Sequence, residues 1–113
     1  MQYALLIYGS EDGGWGDLSQ EEREKQMREY MALGERPETR GGADLGELTT
    51  ATTVRVNDGE TLTTDGPFAE TKEYLGGFYL VECDTIDEAI EFAAAIPAAR
   101  NGGAIEVRPV IEH

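Results

Sequence analysis

The chain has 113 residues, with 23 acidic and 9 basic side chains and a formal net charge of -14. A chain of this length is typical of one globular domain with a real core, so we expect a single domain over residues 1–113. The negative charge repels phosphate backbones and anionic lipid surfaces, so neither nucleic acid nor membrane is an expected partner.

The cysteine and histidine counts restrict the chemistry further. Cys83 is the sole cysteine and His113 the sole histidine, so no internal disulfide is expected, and a zinc site would lack ligands. Residues Met1–Tyr8 lack the basic region of a signal peptide, and no apolar stretch is long enough to span a bilayer. We therefore expect a cytoplasmic protein without a cofactor or metal.

The first quarter of the chain predicts a strand and a helix. Residues Gln2–Tyr8 are apolar and β-favouring on both faces, which is typical of an interior strand. Ser19 and Glu22 form a capping box that begins a helix, and Pro37 should end that helix between residues 33 and 36. The stripe expected to be buried consists of Met27, Tyr30, Met31 and Leu33.

The middle of the chain predicts a hairpin. After a break at Gly41-Gly42, residues Ala43–Leu48 are expected to form a short strand. Residues Thr49–Asn57 are rich in β-branched side chains and predict a stronger one. Asp58-Gly59 is a turn signal, because glycine adopts positive φ at little cost, and Glu60–Thr64 is the expected return strand.

The last third predicts a strand, a helix and a strand. Residues Phe78–Cys83 are apolar on both faces, as in a central strand, and place Cys83 as a small core residue. Thr85 and Glu88 form a second capping box. Residues Ala104–Ile111 alternate as a strand, which Pro109 restricts to a sheet edge. The stripe of the second helix is expected to be Ile86, Ala89, Ile90, Ala93 and Ile96.

This order of elements predicts an α+β fold of the ferredoxin-like type. The order β-α-β-β-α-β with an antiparallel sheet and an extra hairpin puts the first and third core strands inside and the last at an edge. Both helices then cover one face of the sheet, and the other face carries tyrosine and aliphatic side chains that need a cover. We therefore expect a homodimer that forms face to face.

Residues 64–73 (TDGPFAETKE) hold the densest group of ionisable side chains, between the hairpin and the central strand. Gly66 before Pro67 predicts a bend. Asp65 is a candidate general base, because shielding in a cleft favours protonation of a carboxylate. The structural alternative is a turn-forming aspartate that bonds nearby amides.

The remaining candidates are charged side chains that would hold an anionic ligand. Glu70, Lys72 and Glu73 are expected on a short helical turn that begins near Pro67, either as part of a site or as a solvated ion-pair cluster. Glu106 and Arg108 project from one face of the last strand. There Arg108 is a candidate for binding a carboxylate or phosphate, and a structural salt bridge is the alternative.

Residues 64–73 with Gly76-Gly77-Phe78, the ending 106–110 and the opening 3–8 resemble the YCII-related protein family, specifically its DGPF branch. The resemblance spans nearly the whole chain and implies a dimeric α+β barrel, genes beside extracytoplasmic-function sigma factors, and no assigned reaction. Broader members are suspected of using a histidine with an aspartate. The sole histidine here is the terminal His113, which we do not place in the site.

Two functions follow as hypotheses. In the first, the protein binds or converts a small anionic molecule near the bend, with Asp65 as acid/base. Lys72 and Arg108 would hold the ligand, and Glu70, Glu73 and Glu106 would support them. In the second, the protein is a non-catalytic binding or regulatory module associated with a sigma-factor system, and the same residues are scaffold. The sequence contains no evident nucleophile or metal-binding set that would decide between them.

Overall fold

The computed structural model describes residues 1–10, 14–68 and 73–113. Two helices and six strands lie within these ranges. In chain order they are β1 (Gln2–Ser10), α1 (Gln20–Gly34), β2 (Thr39–Asp44), β3 (Thr52–Asn57), β4 (Glu60–Asp65), β5 (Glu73–Glu82), α2 (Ile86–Ala95) and β6 (Ala104–Pro109).

Four of the strands form one antiparallel sheet in the order β2-β5-β1-β6, and β3 pairs with β4 in a separate two-stranded sheet. With the β3–β4 hairpin set aside, this is the ferredoxin-like order, in which the first and third core strands are interior. The predicted α+β class is therefore confirmed. Strand β6 is an edge strand that ends at Pro109, where the missing amide proton costs no ladder hydrogen bond.

The core lies between one sheet face and the two helices. On β1 and β5 alternate residues point toward the helices, so that Tyr3, Leu5 and Val81 are buried, as is Cys83 just after β5. These residues form one cluster with the buried side of the helices. Both helices therefore cover the same face, as predicted. The opposite face, here called the open sheet face, carries no second layer in residues 1–10, 14–68 and 73–113. The helical members of the cluster are Leu33, Ala89, Phe92, Ala93 and Ile96.

Both helices begin at the predicted caps. The Ser19 hydroxyl accepts a hydrogen bond from the Glu22 amide at 3.1 Å, and the Thr85 hydroxyl accepts one from the Glu88 amide at 3.3 Å. These bonds satisfy amide protons that have no partner inside the helix. Helix α1 ends at Gly34, inside the predicted limits and ahead of Pro37.

The predicted buried stripes were partly wrong. In α1, Leu33 is buried and Tyr30 packs against the core, but Met27 and Met31 are exposed. Gln26 is buried instead, at 2% exposure, because spacings of four and three residues place 26, 30 and 33 on one side of the helix. In α2, Phe92 joins the core while Ile86 and Ile90 face outward.

The second strand also differs from its prediction. It runs over Thr39–Asp44 rather than 43–48, and Gly41-Gly42 lies inside it. A side chain at Gly42 would place its Cβ 2.6 Å from the Phe78 carbonyl oxygen. The glycine thus permits close approach to β5, where the sequence suggested a break.

The hairpin was predicted correctly, with small shifts at its ends. Strand β3 begins at Thr52 rather than 49, since residues 48–50 form a short 3-10 turn. Asp58 and Gly59 have φ of 50° and 81°, the positive values of a type I′ turn. Strand β5 starts at Glu73, earlier than the predicted Phe78. Among the described residues, no helix has both the length and the apolar character needed to cross a membrane.

Candidate functional site

Asp65 is the last residue of the hairpin and lies opposite Thr52 at its base. Gly66 follows with φ of 102°, a conformation that other residues rarely adopt, so the predicted bend is present. The Gly66 amide donates to the Ala51 carbonyl at 2.8 Å, and the Thr53 hydroxyl donates to the Gly66 carbonyl at 2.8 Å. Backbone groups and Thr53 hold this bend, and the Asp65 side chain is exposed to solvent.

Glu106 and Arg108 lie together on the open sheet face. The Arg108 Nε and the Glu106 Oε1 are 3.8 Å apart, and the Arg108 side chain is 68% exposed. The register puts Glu106 opposite Leu6 and Arg108 opposite Ala4. The structure therefore brings this predicted pair together in a loose, solvent-facing ion pair, which on its own contributes little to stability.

The apolar part of the open sheet face lies beside this pair. Leu6 pairs with Phe78, and Ala4 pairs with Leu80, so two rows cross the sheet from the charged edge. The four apolar side chains in these rows are only partly buried. A charged pair at the border of an apolar surface is a common arrangement at sites that become covered by a ligand or by another chain.

The other predicted residues belong to the opposite end of the sheet. Glu73 is the first residue of β5 and pairs with Ser10, which corrects its predicted place on a helical turn. Arg108 pairs with Ala4, which precedes Ser10 by six residues on β1. At the usual rise per residue of a strand, Arg108 and Glu73 are therefore about 20 Å apart along the sheet. Within one chain, Arg108 and the segment that carries the hairpin therefore lie at opposite ends of β1. Glu70 and Lys72 lie outside the described residues.

A cleft of about 290 Å³ opens on the helix side, which the sequence did not predict. The Arg36 guanidinium lies 5.3 Å from the centre of the Phe92 ring at its wall. None of the predicted site residues that the structure describes lines this cleft. The sequence prediction left Phe92 out of the buried stripe, although its spacing of three residues from Ala89 and four from Ile96 could have placed it on the buried side of α2. The lining residues are Arg36, Glu38, Cys83, Glu88, Glu91, Phe92 and Ala95.

Cys83 in this cleft is buried, as its alternation along the strand predicted. Burial raises the pKa of the Cys83 thiol, and the carboxylates of Glu88 and Glu38 raise it further. Both effects keep the sulfur protonated, which opposes nucleophilic chemistry. In the described part of the chain, no group of three or more histidine, cysteine or acidic side chains is arranged to hold a metal ion.

Comparison with known proteins assigns the family. The model of the YCII-related domain matches residues 1–113. A protein of Rhizobium meliloti (strain 1021) named Uncharacterized protein R00369 is 43% identical over 117 aligned residues, which cover 97% of this chain and 92% of the relative. With the ferredoxin-like sheet and the match over its full length, this chain belongs to the family of YCII-related proteins.

Proposed function

We propose that this YCII-related protein is a homodimer that binds or converts a small anionic molecule between the open sheet face and the Asp65 bend. The observation that carries the proposal is Arg108, a cation at the border of an uncovered apolar surface. Because Arg108 and the segment next to the bend lie about 20 Å apart in one chain, Arg108 of one protomer and Lys72 of the other hold the anion. Glu106 supports Arg108, and Glu70 and Glu73 support Lys72. Asp65 acts as the acid/base.

Arg108 suits this role because its planar guanidinium presents paired donors that match a carboxylate or phosphate. Its partner Glu106, at 3.8 Å, does not make a tight two-point bond with it. A ligand oxygen can therefore replace or join Glu106 at little cost. Covering the surrounding rows of Leu6 and Phe78 would remove water and strengthen the attraction.

Asp65 is exposed to solvent in the single chain. The described part of the chain provides no ion-pair or hydrogen-bond partner for it. In this proposal, a role as acid/base requires a cover that encloses Asp65 together with the ligand and excludes water. The dimer supplies that cover. The proposal also places the protein in the cytoplasm.

The test is ligand binding by calorimetry with a panel of small monocarboxylates, dicarboxylates and inorganic phosphate. We expect the wild-type protein to bind at least one of these anions and Arg108→Gln to bind it at least ten-fold more weakly. Arg40→Gln is the matched control, since Arg40 is an exposed arginine whose guanidinium bonds the Pro37 carbonyl at 2.6 Å. Its affinity should stay within two-fold of the wild type.

Asp65→Asn separates binding from chemistry. We expect this variant to keep most of the affinity and to lose any turnover found with the ligand. An Arg108→Gln variant that binds every anion as well as the wild type would contradict the proposal. If in addition the Asp65→Asn variant is unchanged in every assay, the regulatory module associated with a sigma factor is the better explanation.

A further inference from the structure

The hairpin of β3 and β4 (52–65), here called the hairpin arm, is exposed on both of its faces. Val54 is 59% exposed and Val56 is 69% exposed. No third strand pairs with the arm in the part of the chain that the structure describes. An isolated two-stranded hairpin is at best marginally stable in water, so the arm needs a surface to pack against.

The shape of the molecule shows that the arm does not fold back onto its own sheet. The chain measures 44 × 42 × 19 Å, and its radius of gyration is 15.8 Å. A compact domain of this length has a radius of gyration of about 13 Å. The smallest dimension corresponds to one sheet and one layer of helices, so the arm extends the molecule sideways.

The two faces of the arm differ in chemistry. Val54 lies opposite Thr63 and Val56 opposite Thr61, and alternation puts Asp65 on the same side. This side, here called the valine face, consists of Thr52, Val54, Val56, Thr61, Thr63 and Asp65. It is β-branched throughout except for the carboxylate at its base.

The opposite side of the arm is mainly polar, and Leu62, which is 45% exposed, is its one apolar side chain. It carries Arg55, Asn57 and Glu60, and the Arg55 guanidinium lies 4.8 Å from the centre of the Phe68 ring. A cation over an aromatic ring gains energy without any further partner. The valine face therefore carries more of the exposed aliphatic side chains of the arm, with two valines against one leucine on the other side.

The charge of the protein determines where a second copy can dock with least repulsion. A basic partner would be drawn to the acidic surfaces of a chain with net charge -14. A second copy carries the same charge, so it docks with least repulsion where both surfaces are apolar. The valine face and the rows of Leu6 and Phe78 on the open sheet face are such surfaces.

The available area is also sufficient. A stable interface uses about 800 Å² on each partner. The broad side of the molecule, with the arm included, measures 44 by 42 Å across, which exceeds this area. A partner that spans the open sheet face and the arm therefore has room for a stable dimer.

We propose that the valine face of the hairpin arm packs against a second copy of the chain, so that Asp65 lies at the boundary between the two protomers. This inference rests on the homodimer of the proposed function and adds that the Asp65 site is incomplete in a single chain. Because Asp65 shares its face with Val54 and Val56, the protomer that covers the valines also shields the carboxylate.

The first test compares two double variants by sedimentation over a concentration series. Val54→Asp with Val56→Asp puts two charges on the valine face, and Asn57→Asp with Thr64→Asp puts two on the opposite face of the same arm. We expect the dimer dissociation constant to rise at least ten-fold for the first variant and to change less than three-fold for the second.

A second measurement keeps the inference testable if the valine variant misfolds. A nitroxide label on Thr63→Cys reports the valine face, and one on the neighbouring Thr64→Cys reports the opposite face. The native Cys83 is buried, so we expect it to react with the label more slowly than a cysteine on the exposed arm. Dimer formation should immobilise the label at position 63 and leave the label at 64 mobile.

The outcomes separate this inference from the proposed function. A dimer whose dissociation constant is unchanged in the valine variant, or a label at 63 as mobile as that at 64, overturns the contact of the arm and leaves the sheet-to-sheet dimer intact. A wild-type protein that stays monomeric at high micromolar concentration overturns both.

Discussion

The four-stranded sheet and the hairpin arm are built from similar residues but end in opposite environments. Leu5 and Val81 of the sheet are fully buried against the helices, whereas Val54 and Val56 of the arm face solvent. Both segments have the β-branched and apolar side chains that favour strands. The difference lies in the layer above them, since the helices cover only one face of the sheet and do not reach the arm.

This contrast indicates that the helix-covered side of the sheet provides stability, whereas the arm and the open sheet face provide surfaces for interaction. The helix-covered side of the sheet gains its free energy from burial within one chain. The arm and the open sheet face have apolar area that the chain itself does not bury. The first region should therefore respond to mutation through unfolding, and the second through association or binding.

Two phenylalanines give the largest expected effect and the sharpest test of this division. Phe92 is 2% exposed in the core, and Phe68, just after the arm, is 74% exposed. We expect Phe92→Ala to lower the free energy of unfolding by about 3–5 kcal/mol, as is usual when a buried aromatic is removed. Phe68→Ala should lower it by less than about 1 kcal/mol. Urea unfolding at concentrations where the protein is monomeric measures both.

Comparable losses for the two variants in the monomer would contradict the comparison. They would mean that the arm contributes to the stability of a single chain and does not depend on a second protomer for its packing.

Tyr79 gives a smaller effect that depends on pH. Its hydroxyl donates to the Tyr30 carbonyl at 2.8 Å, and burial, together with Tyr30 and Asp44, raises the pKa of Tyr79 to about 12. The neutral phenol is thus favoured in the folded state. Its contribution to stability is complete below pH of about 10, the usual pKa of tyrosine, and is lost as the pH rises through the folded value.

Tyr79→Phe should lower the free energy of unfolding by about 1 kcal/mol at pH 7, because one hydrogen bond is lost. The difference in the free energy of unfolding between the variant and the wild type, here called the gap, should narrow as the pH rises above about 10. The reason is that only the wild type has this phenol to ionise on unfolding. Unfolding curves at pH 7, 9 and 11 measure the gap. A gap that widens at pH 11 would show that the folded state favours the ionised phenol instead.

Glu106→Gln should have the smallest effect on stability. Its ion pair with Arg108 is long, at 3.8 Å, and exposed, so we expect a change below about 0.5 kcal/mol in thermal or urea unfolding. A loss several times larger would mean that the pair is a structural salt bridge, the alternative considered from the sequence. Ligand affinity, by contrast, should change in this variant if Glu106 orients Arg108.

Much of the fold could be predicted because its signals are local. The caps at Ser19 and Thr85, the turn at Asp58-Gly59 and the edge position of Pro109 each follow from the chemistry of one or two residues. The predictions were wrong where the burial of a side chain depends on its tertiary environment. Met27 and Met31 have the same apolar character as buried residues, but the rotation of α1 on the sheet leaves them outside.

The candidate site was harder to predict for the same reason. Spacing along β6 was enough to place Glu106 and Arg108 on one side of a strand. The relation of that pair to the Asp65 bend depends on the register of β1 with β5 and β6, which pairs residues distant in sequence. The helix-side cleft near Cys83 likewise combines α2 with the segments that follow α1 and β5, so no single segment could indicate it.

Local signals in the sequence were enough for both helices, for the strands other than β2, for the bend at Gly66 and for the family, because propensity, capping and turn geometry act over a few residues. The tertiary structure alone decided which apolar surfaces are buried and which remain open. That choice depends on how the two helices cover a four-stranded sheet of β2-β5-β1-β6 while the hairpin arm lies beside it. Burial is a property of whole layers, and it is this property that leaves Val54, Val56 and Asp65 on an uncovered face.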